Sequence, residues 1–372
     1  MSNLKSLVPM LLLAVAPLLA RAQTFSQAEG FADFGEWDWS GSVRAQVNLI
    51  VEQKPSSVRG QPRTDWGSLK FESRLNSREE PVTVVIGAHL GPERDTTHRE
   101  PIFAWDQLKL EWTAGPVISM GLLQDQVVDF AWGSFWGSDY GADFEPGLSK
   151  WKIIPRSDLG LAIGGLWGEV AWNFQVSNGE GWPQAETGAR KDFEFLVGQT
   201  RTWSQSRGGA QLFVRSGGYD QLGDNDNVKE RAGLQAYYEG EAFTVGGLGA
   251  WLRDSVDGIS GVVGEGADLS ARGGEINQGS LLEGHAGYRW GEGPRRWRAF
   301  ARAAIYKVYD NDSNKHLKQT ALGVSRALGR SGMSVALTYQ ATEFGPNYAT
   351  LNQDRSRWML SWAWGLTRRG TP

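Results

Sequence analysis

The feature that most constrains this chain is an alternation near its C-terminal end. Residues 356–366 read SRWMLSWAWGL, with Trp358, Leu360, Trp362, Trp364 and Leu366 at every second position. The residues between them, Arg357, Ser361, Ala363 and Gly365, are small or polar, with Met359 the exception. A period of two over that length is an extended strand with two unlike faces, because successive side chains leave opposite sides of the pleat. In a soluble sandwich the apolar face would turn inward. Three tryptophans on one face suit a lipid–water boundary better, since the amphipathic indole settles at that depth.

The pattern recurs along the chain. In 41–51, Val43, Ala45, Val47, Leu49 and Val51 oppose Ser42, Arg44, Gln46 and Asn48; in 68–75, Leu69, Phe71 and Leu75 oppose Lys70, Glu72 and Arg74. Similar stretches are 82–90, 108–112, 117–123, 151–164, 170–177, 193–200, 210–216, 232–239, 243–251, 281–290, 297–306, 318–326 and 335–342. With the closing strand they number about sixteen, an even count in the range of bacterial outer-membrane barrels.

Connections carry a second signal. Short ones (76–80, 113–116, 165–169, 239–242, 291–296, 328–332) alternate with long ones (52–64, 91–101, 124–150, 178–191, 217–230, 254–277, 309–315, 343–355). Short turns at one rim and long loops at the other are the arrangement of a transmembrane barrel, with both termini at the short-turn, periplasmic rim. A propeller has less reason to polarise its loops, and no repeat at fixed period is present. The expected fold is all-β: an antiparallel up-and-down transmembrane barrel, with short periplasmic turns and long extracellular loops.

Targeting and composition agree with this. Lys5, the apolar run 7–19 and Ala20-Arg21-Ala22 read as a cleavable secretory signal over 1–22, leaving 23–372 as a single barrel domain. The apolar run is short for a spanning helix, which needs about 20 residues. Mean hydropathy is −0.39, as a barrel gives when only alternate residues meet lipid. The chain has no cysteine, 48 glycines and 18 tryptophans, in keeping with an exported chain of many tight turns and aromatic girdles. A net charge of −4 with scattered basic residues gives no argument for nucleic acid.

If the apolar faces meet lipid, the opposite, polar faces line a water-filled lumen. The longest loop, 124–150, carries Phe130, Trp132, Phe135, Trp136, Tyr140 and Phe144, too many rings for a loop standing in water, so it should pack against something. It also carries Asp125, Asp129, Asp139, Asp143 and Glu145 with no basic residue before Lys150. Arg44, Lys70, Arg74 and Lys109 fall on the polar faces of the first strands. An acidic loop against a basic wall would set up a transverse field across a constriction; the alternative is that these are ordinary lumen charges paired with one another. Inward Arg44, Arg74, Arg215 and Arg302 would support a channel biased towards anions or sugars.

Other constellations are bland. Loop 220–227 (DQLGDNDN) has oxygen ligands but not the closing glutamate of a Ca²⁺ loop. The histidines, His89, His98, His285 and His316, form no HExxH, and no GxSxG occurs. An outer-membrane enzyme using a serine near His285 remains the contrasting class. No cofactor, metal or catalytic residue is expected.

Two pieces also resemble a known family. VISMGLLQDQ (117–126) before the long loop, and DLGLAIGGLWGEVAWNFQVSNGEG (158–181) after it, are similar to Gram-negative porins, particularly the phosphate-selective family and general porins. The matching residues are Gly121-Leu122-Leu123-Gln124, Gly160, Gly164, Trp172 and Asn178-Gly179-Glu180-Gly181. The resemblance implies an inward-folded third loop, passive diffusion of small hydrophilic solutes or ions, a homotrimer, and contact with outer-membrane lipid and lipopolysaccharide.

Overall fold

The structure is a computed structural model of the 372-residue chain. It describes residues 37–53, 62–65, 69–78, 80–92, 101–113, 115–127, 130, 147–150, 153–155, 157–178, 191–218, 228–254, 277–291, 296–307, 316–328, 333–345 and 355–370. The expected signal segment 1–22 and loop 220–227 lie outside these residues.

Alternation becomes strand throughout. In chain order the strands are β1 (Trp37–Gln53), β2 (Pro62–Asp65), β3 (Leu69–Ser77), β4 (Val82–Pro92), β5 (Pro101–Thr113) and β6 (Val117–Gln124). After the third long connection come β7 (Ser157–Trp167), β8 (Val170–Ser177), β9 (Asp192–Thr202), β10 (Arg207–Gly217), β11 (Lys229–Glu239) and β12 (Phe243–Asp254). The last five are β13 (Asn277–Trp290), β14 (Trp297–Lys307), β15 (His316–Ala327), β16 (Ser334–Phe344) and β17 (Arg355–Gly370). Each pairs antiparallel with its neighbours, and β1 closes the sheet by pairing from Trp39↔Gly370 to Gln53↔Ser356. β2 and β3 both lie along β1, so together they fill one position and the wall is sixteen strands around. Closure removes every sheet edge, which a strand crossing lipid requires.

The loop polarity stands as expected, with one further tight hairpin at 203–206, where Trp203 N donates to Ser206 O at 2.7 Å. Gly168 makes the turn between β7 and β8 at a φ of 64°, a conformation that a side chain penalises. The expected strand 151–164 starts only at Ser157. Ile153 and Ile154 before it are instead buried in a core.

Side-chain exposure separates the two faces. On β10, Leu212 and Val214 are 55% and 54% exposed, while Gln211, Phe213 and Arg215 between them are buried. Outward rings form two belts. At the short-turn rim Trp167 stacks on Trp172, Tyr238 packs on Phe243, and Trp290 stacks on both Tyr288 and Trp297. At the long-loop end Trp105, Phe193, Trp251 and Trp358 face out. Along β12 the rise from Phe243 to Trp251 is about 26 Å, close to the lipid-facing band of such barrels. No helix among the described residues is long and apolar enough to cross a membrane; this chain crosses with strands.

The interior departs from a uniformly polar lumen. Inward positions on β9 to β16 carry Leu196, Phe213, Leu248, Leu252, Leu281, Tyr306, Leu317 and Phe344, all in one buried cluster. A barrel whose far wall is apolar inside has to cover that wall, and a segment of this chain does so.

Candidate functional site

The covering segment runs from the end of β6 to the start of β7. Its described parts are 124–127, 130, the single turn α1 (Gly147–Lys150) and 153–155. Val127, Leu148, Ile153 and Ile154 sit in the cluster with the apolar inner wall, and Val127, Leu148 and Ile154 are fully buried. Burial of such side chains contributes about 1.5–3 kcal/mol each. Phe130 meets Tyr237 of β11 edge to face at 5.6 Å. The described parts of the long third loop therefore pack inside the barrel, against the wall that β9 to β16 build.

Polar contacts fix its path. Val127 O accepts from Gln235 Nε2 at 2.9 Å, and the same amide reaches Gln211 Oε1 at 2.6 Å. Gly147 N donates to Glu283 Oε2 at 2.7 Å, and Glu283 Oε1 pairs with Arg302 Nη2 at 2.9 Å. Ile153 O accepts from Arg231 Nε at 3.3 Å. Ser157 Oγ then donates to Asp106 O at 2.6 Å, tying the start of β7 to β5.

The tightest anchor is ionic. Arg215 Nη1 meets Asp125 Oδ2 at 2.7 Å and Glu194 Oε2 at 3.3 Å, while its Nε meets Asp192 Oδ2 at 2.9 Å. Lys229 Nζ reaches Asp192 Oδ2, also at 2.9 Å. Asp125 Oδ1 accepts from Val127 N at 3.0 Å, so one carboxylate binds both the segment and the wall. All five charged side chains are buried. A planar guanidinium with five donors can hold three carboxylates together; an ammonium cannot reproduce that fork.

The β3–β5 side of the interior carries charges as well. On the inner faces of β3 and β5, Glu72 pairs with Arg74 at 3.2 Å and Lys109 with Glu111 at 2.8 Å. Arg74 and Glu72 are 48% and 45% exposed although they point away from lipid, whereas Lys109 and Glu111 are 13% and 18% exposed. Thr83 Oγ1 donates to Asn76 Oδ1 at 2.9 Å beside them. Gly121, on the same level, has a φ of 126°, and a Cβ there would collide with the Leu108 carbonyl. Only glycine lets β6 approach β5 so closely.

The expected site residues divide accordingly. Asp125 lies in the Arg215 cluster on the β9–β11 wall and does not face the basic residues of the first strands. Arg74 and Lys109 are on the inner faces of β3 and β5, each paired with a carboxylate on its own strand. Arg44 and Lys70 lie directly opposite one another in the β1–β3 register, and their side chains fall outside the described residues. Asp129, Asp139, Asp143 and Glu145 also lie outside them. Of the arginines taken as inward, Arg215 and Arg302 are buried in ion pairs and present no free charge to the lumen. His285 is buried on the inner face of β13, at the level of Arg302. Among the described residues no group of three His, Cys, Asp or Glu side chains is placed to hold a metal ion.

Sequence reasoning passed over Asp192, Glu194, Lys229, Gln235 and Glu283, which hold the segment. Their signal was two-sided apolarity: β12 (FTVGGLGAWLRD) places Val245 and Trp251 outward but Leu248 and Leu252 inward.

Known structures share this architecture. The outer membrane channel DcaP of Acinetobacter baumannii superposes with a TM-score of 0.62 at 11% identity, covering 90% of this chain and 98% of that one. An anion-selective porin from Comamonas acidovorans gives 0.61 at 9% identity, covering 89% and 100%. The chain has the porin fold. The trimer form of OmpT, an outer membrane protein of Vibrio cholerae, gives 0.55 at 8% identity, covering 89% and 100%. At these identities the likeness is one of porin fold alone. No protein-family model and no curated protein sequence matches this chain.

Proposed function

We propose that the protein is an outer-membrane porin, exported through a cleaved signal over 1–22, which lets small hydrophilic solutes and ions diffuse passively without catalysis. The observation that carries this reading is the contrast between the two sides of the interior. The described parts of the segment after β6 cover the β9–β16 side, while Arg74 and Glu72 on the inner face of β3 stay exposed. Solute would pass along that open face, in a path displaced from the barrel axis. Paired opposite charges along it favour polar and dipolar solutes and give little net ion preference. The acidic residues Asp129, Asp139, Asp143 and Glu145 would narrow this path from the segment side, facing Arg74 and Lys109. A homotrimer fits the trimeric neighbour and the resemblance in sequence.

An anion-biased channel is the second reading. The register sets Arg44 opposite Lys70, and Lys70 opposite His89, on three neighbouring strands, which puts three basic residues at one level. One neighbour of the same fold is an anion-selective porin. Reversal potentials under a salt gradient separate the two. Paired charges predict a value near zero, which the Asp139→Asn, Asp143→Asn double variant moves towards anions. A strongly anion-selective wild type that loses its bias in Arg44→Gln, Lys70→Gln establishes the second reading. An unchanged potential in both variants places the constriction elsewhere.

A further inference from the structure

The inner face of β1 to β5 sorts its charges by level. The ladder places Ser40 opposite Arg74, Arg74 opposite Val85 and Val85 opposite Lys109, so the two cations share one level. One step towards the short-turn rim, Asp38 lies opposite Asn76, Asn76 opposite Thr83 and Thr83 opposite Glu111. That level carries two carboxylates. The two levels are two residues apart on each strand, about 7 Å. On the far side of Arg74, Glu72 is level with Ser42 and Gly87.

Arg74 and Asp38 are the members of these levels with capacity to spare. Arg74 gives only its Nε to Glu72, at 3.2 Å, and no described residue accepts from its Nη1 or Nη2. That edge of a guanidinium is the fork that takes a carboxylate end-on through two parallel hydrogen bonds. Asp38 is held in the complementary way. Arg78 Nε and Nη2 both reach its Oδ1, at 2.9 Å and 2.6 Å, and no described residue donates to its Oδ2. Its side chain is 44% exposed, close to the value for Arg74. Asp38 stands diagonal to Arg74 across the β1–β3 ladder, with Cβ atoms about 7–8 Å apart. Lys109 and Glu111, by contrast, meet each other at 2.8 Å and are largely covered.

The order of charges selects the solute. Arg74 stands between Glu72 and Asp38, so a plain anion on its fork meets a carboxylate on either side, and a plain cation on Asp38 meets Arg74. A solute carrying both charges escapes both repulsions. A zwitterionic α-amino acid has its carboxylate and ammonium on neighbouring atoms of one carbon. With a charge-assisted hydrogen bond of about 2.8 Å at each end, it spans the interval between the two side chains. We propose that Arg74 and Asp38 form a binding site for zwitterionic α-amino acids, the carboxylate on Arg74 Nη1 and Nη2 and the ammonium on Asp38 Oδ2. This deepens the porin reading by naming a solute class, and rests on that reading only for how the solute arrives.

The test is saturation-transfer NMR of L-alanine with the refolded full chain, which reads binding whether or not the barrel conducts. Glycerol, N-acetyl-L-alanine and L-alaninamide serve as neutral, anionic and cationic probes of similar size. L-alanine should give a saturable signal and the other three a weaker one. Arg74→Gln and Asp38→Asn should each weaken L-alanine binding about tenfold, in barrels that keep the folded gel shift. Arg74→Lys should not restore it, since an ammonium lacks the fork. Undiminished binding in the Arg74→Gln, Asp38→Asn double variant overturns the proposal. So does a wild-type signal from N-acetyl-L-alanine equal to that from L-alanine, which marks a plain anion site, or no saturable signal from L-alanine at all. Specific L-alanine binding by a barrel that gives no openings supports this site and counts against the porin reading alone.

Discussion

Arg215 concentrates the energetics of the interior in one side chain. It holds Asp125 from the segment and Asp192 and Glu194 from β9, with about 1% of its side chain exposed. Taking such charges out of water is costly, and the cost is recovered only while the partners remain together. Arg215→Ala leaves three buried carboxylates with Lys229 as their remaining cation, a loss of about 3–5 kcal/mol. The segment should then detach, seen as a larger single-channel conductance and a lower temperature for the gel shift of the folded barrel. Arg215→Lys should rescue neither, because an ammonium lacks the fork that spans all three. Wild-type behaviour of Arg215→Lys would mean that charge alone suffices.

The segment between β6 and β7 shows how far the sequence could be read. Alternation and turn lengths located nearly every strand, because a two-faced strand writes its period directly into the chain. The rings of 124–150 pointed to a loop that packs against something, and Phe130 does so on Tyr237. Its partners were less legible: Gln235, Glu283 and Arg215 look like any inward polar residue, and only closure of the sheet brings β6 near β10 and β13. Ile153 and Ile154 read as strand because two β-branched residues suit a strand, whereas packing against Arg231 and the apolar wall places them in the segment. Leu148 tests the docking at this scale. It is fully buried on the inner wall, and Leu148→Asp would put an unpaired charge there. We expect larger or noisier openings from a barrel that still shows the folded gel shift. Unchanged openings would mean that the segment does not limit the path.

Across the whole molecule, lipid and water meet the same sheet on opposite sides, and each side tolerates different changes. Leu322 is 58% exposed in the middle of β15. Leu322→Arg should cost about 2–4 kcal/mol at the centre of the membrane, measured by urea titration of the refolded barrel in lipid. Thr83→Arg, on the open inner face, should cost far less and change ion preference instead. Equal losses from the two would contradict the assignment of faces.

The central claim is that an aqueous path survives beside the docked segment, and single-channel recording of the refolded wild-type protein in a planar bilayer tests it most directly. The account predicts stepwise, ohmic openings at all modest voltages, without added ligand. Correctly folded, heat-modifiable protein that gives no openings would contradict it, and the interior would then be a closed or plugged one.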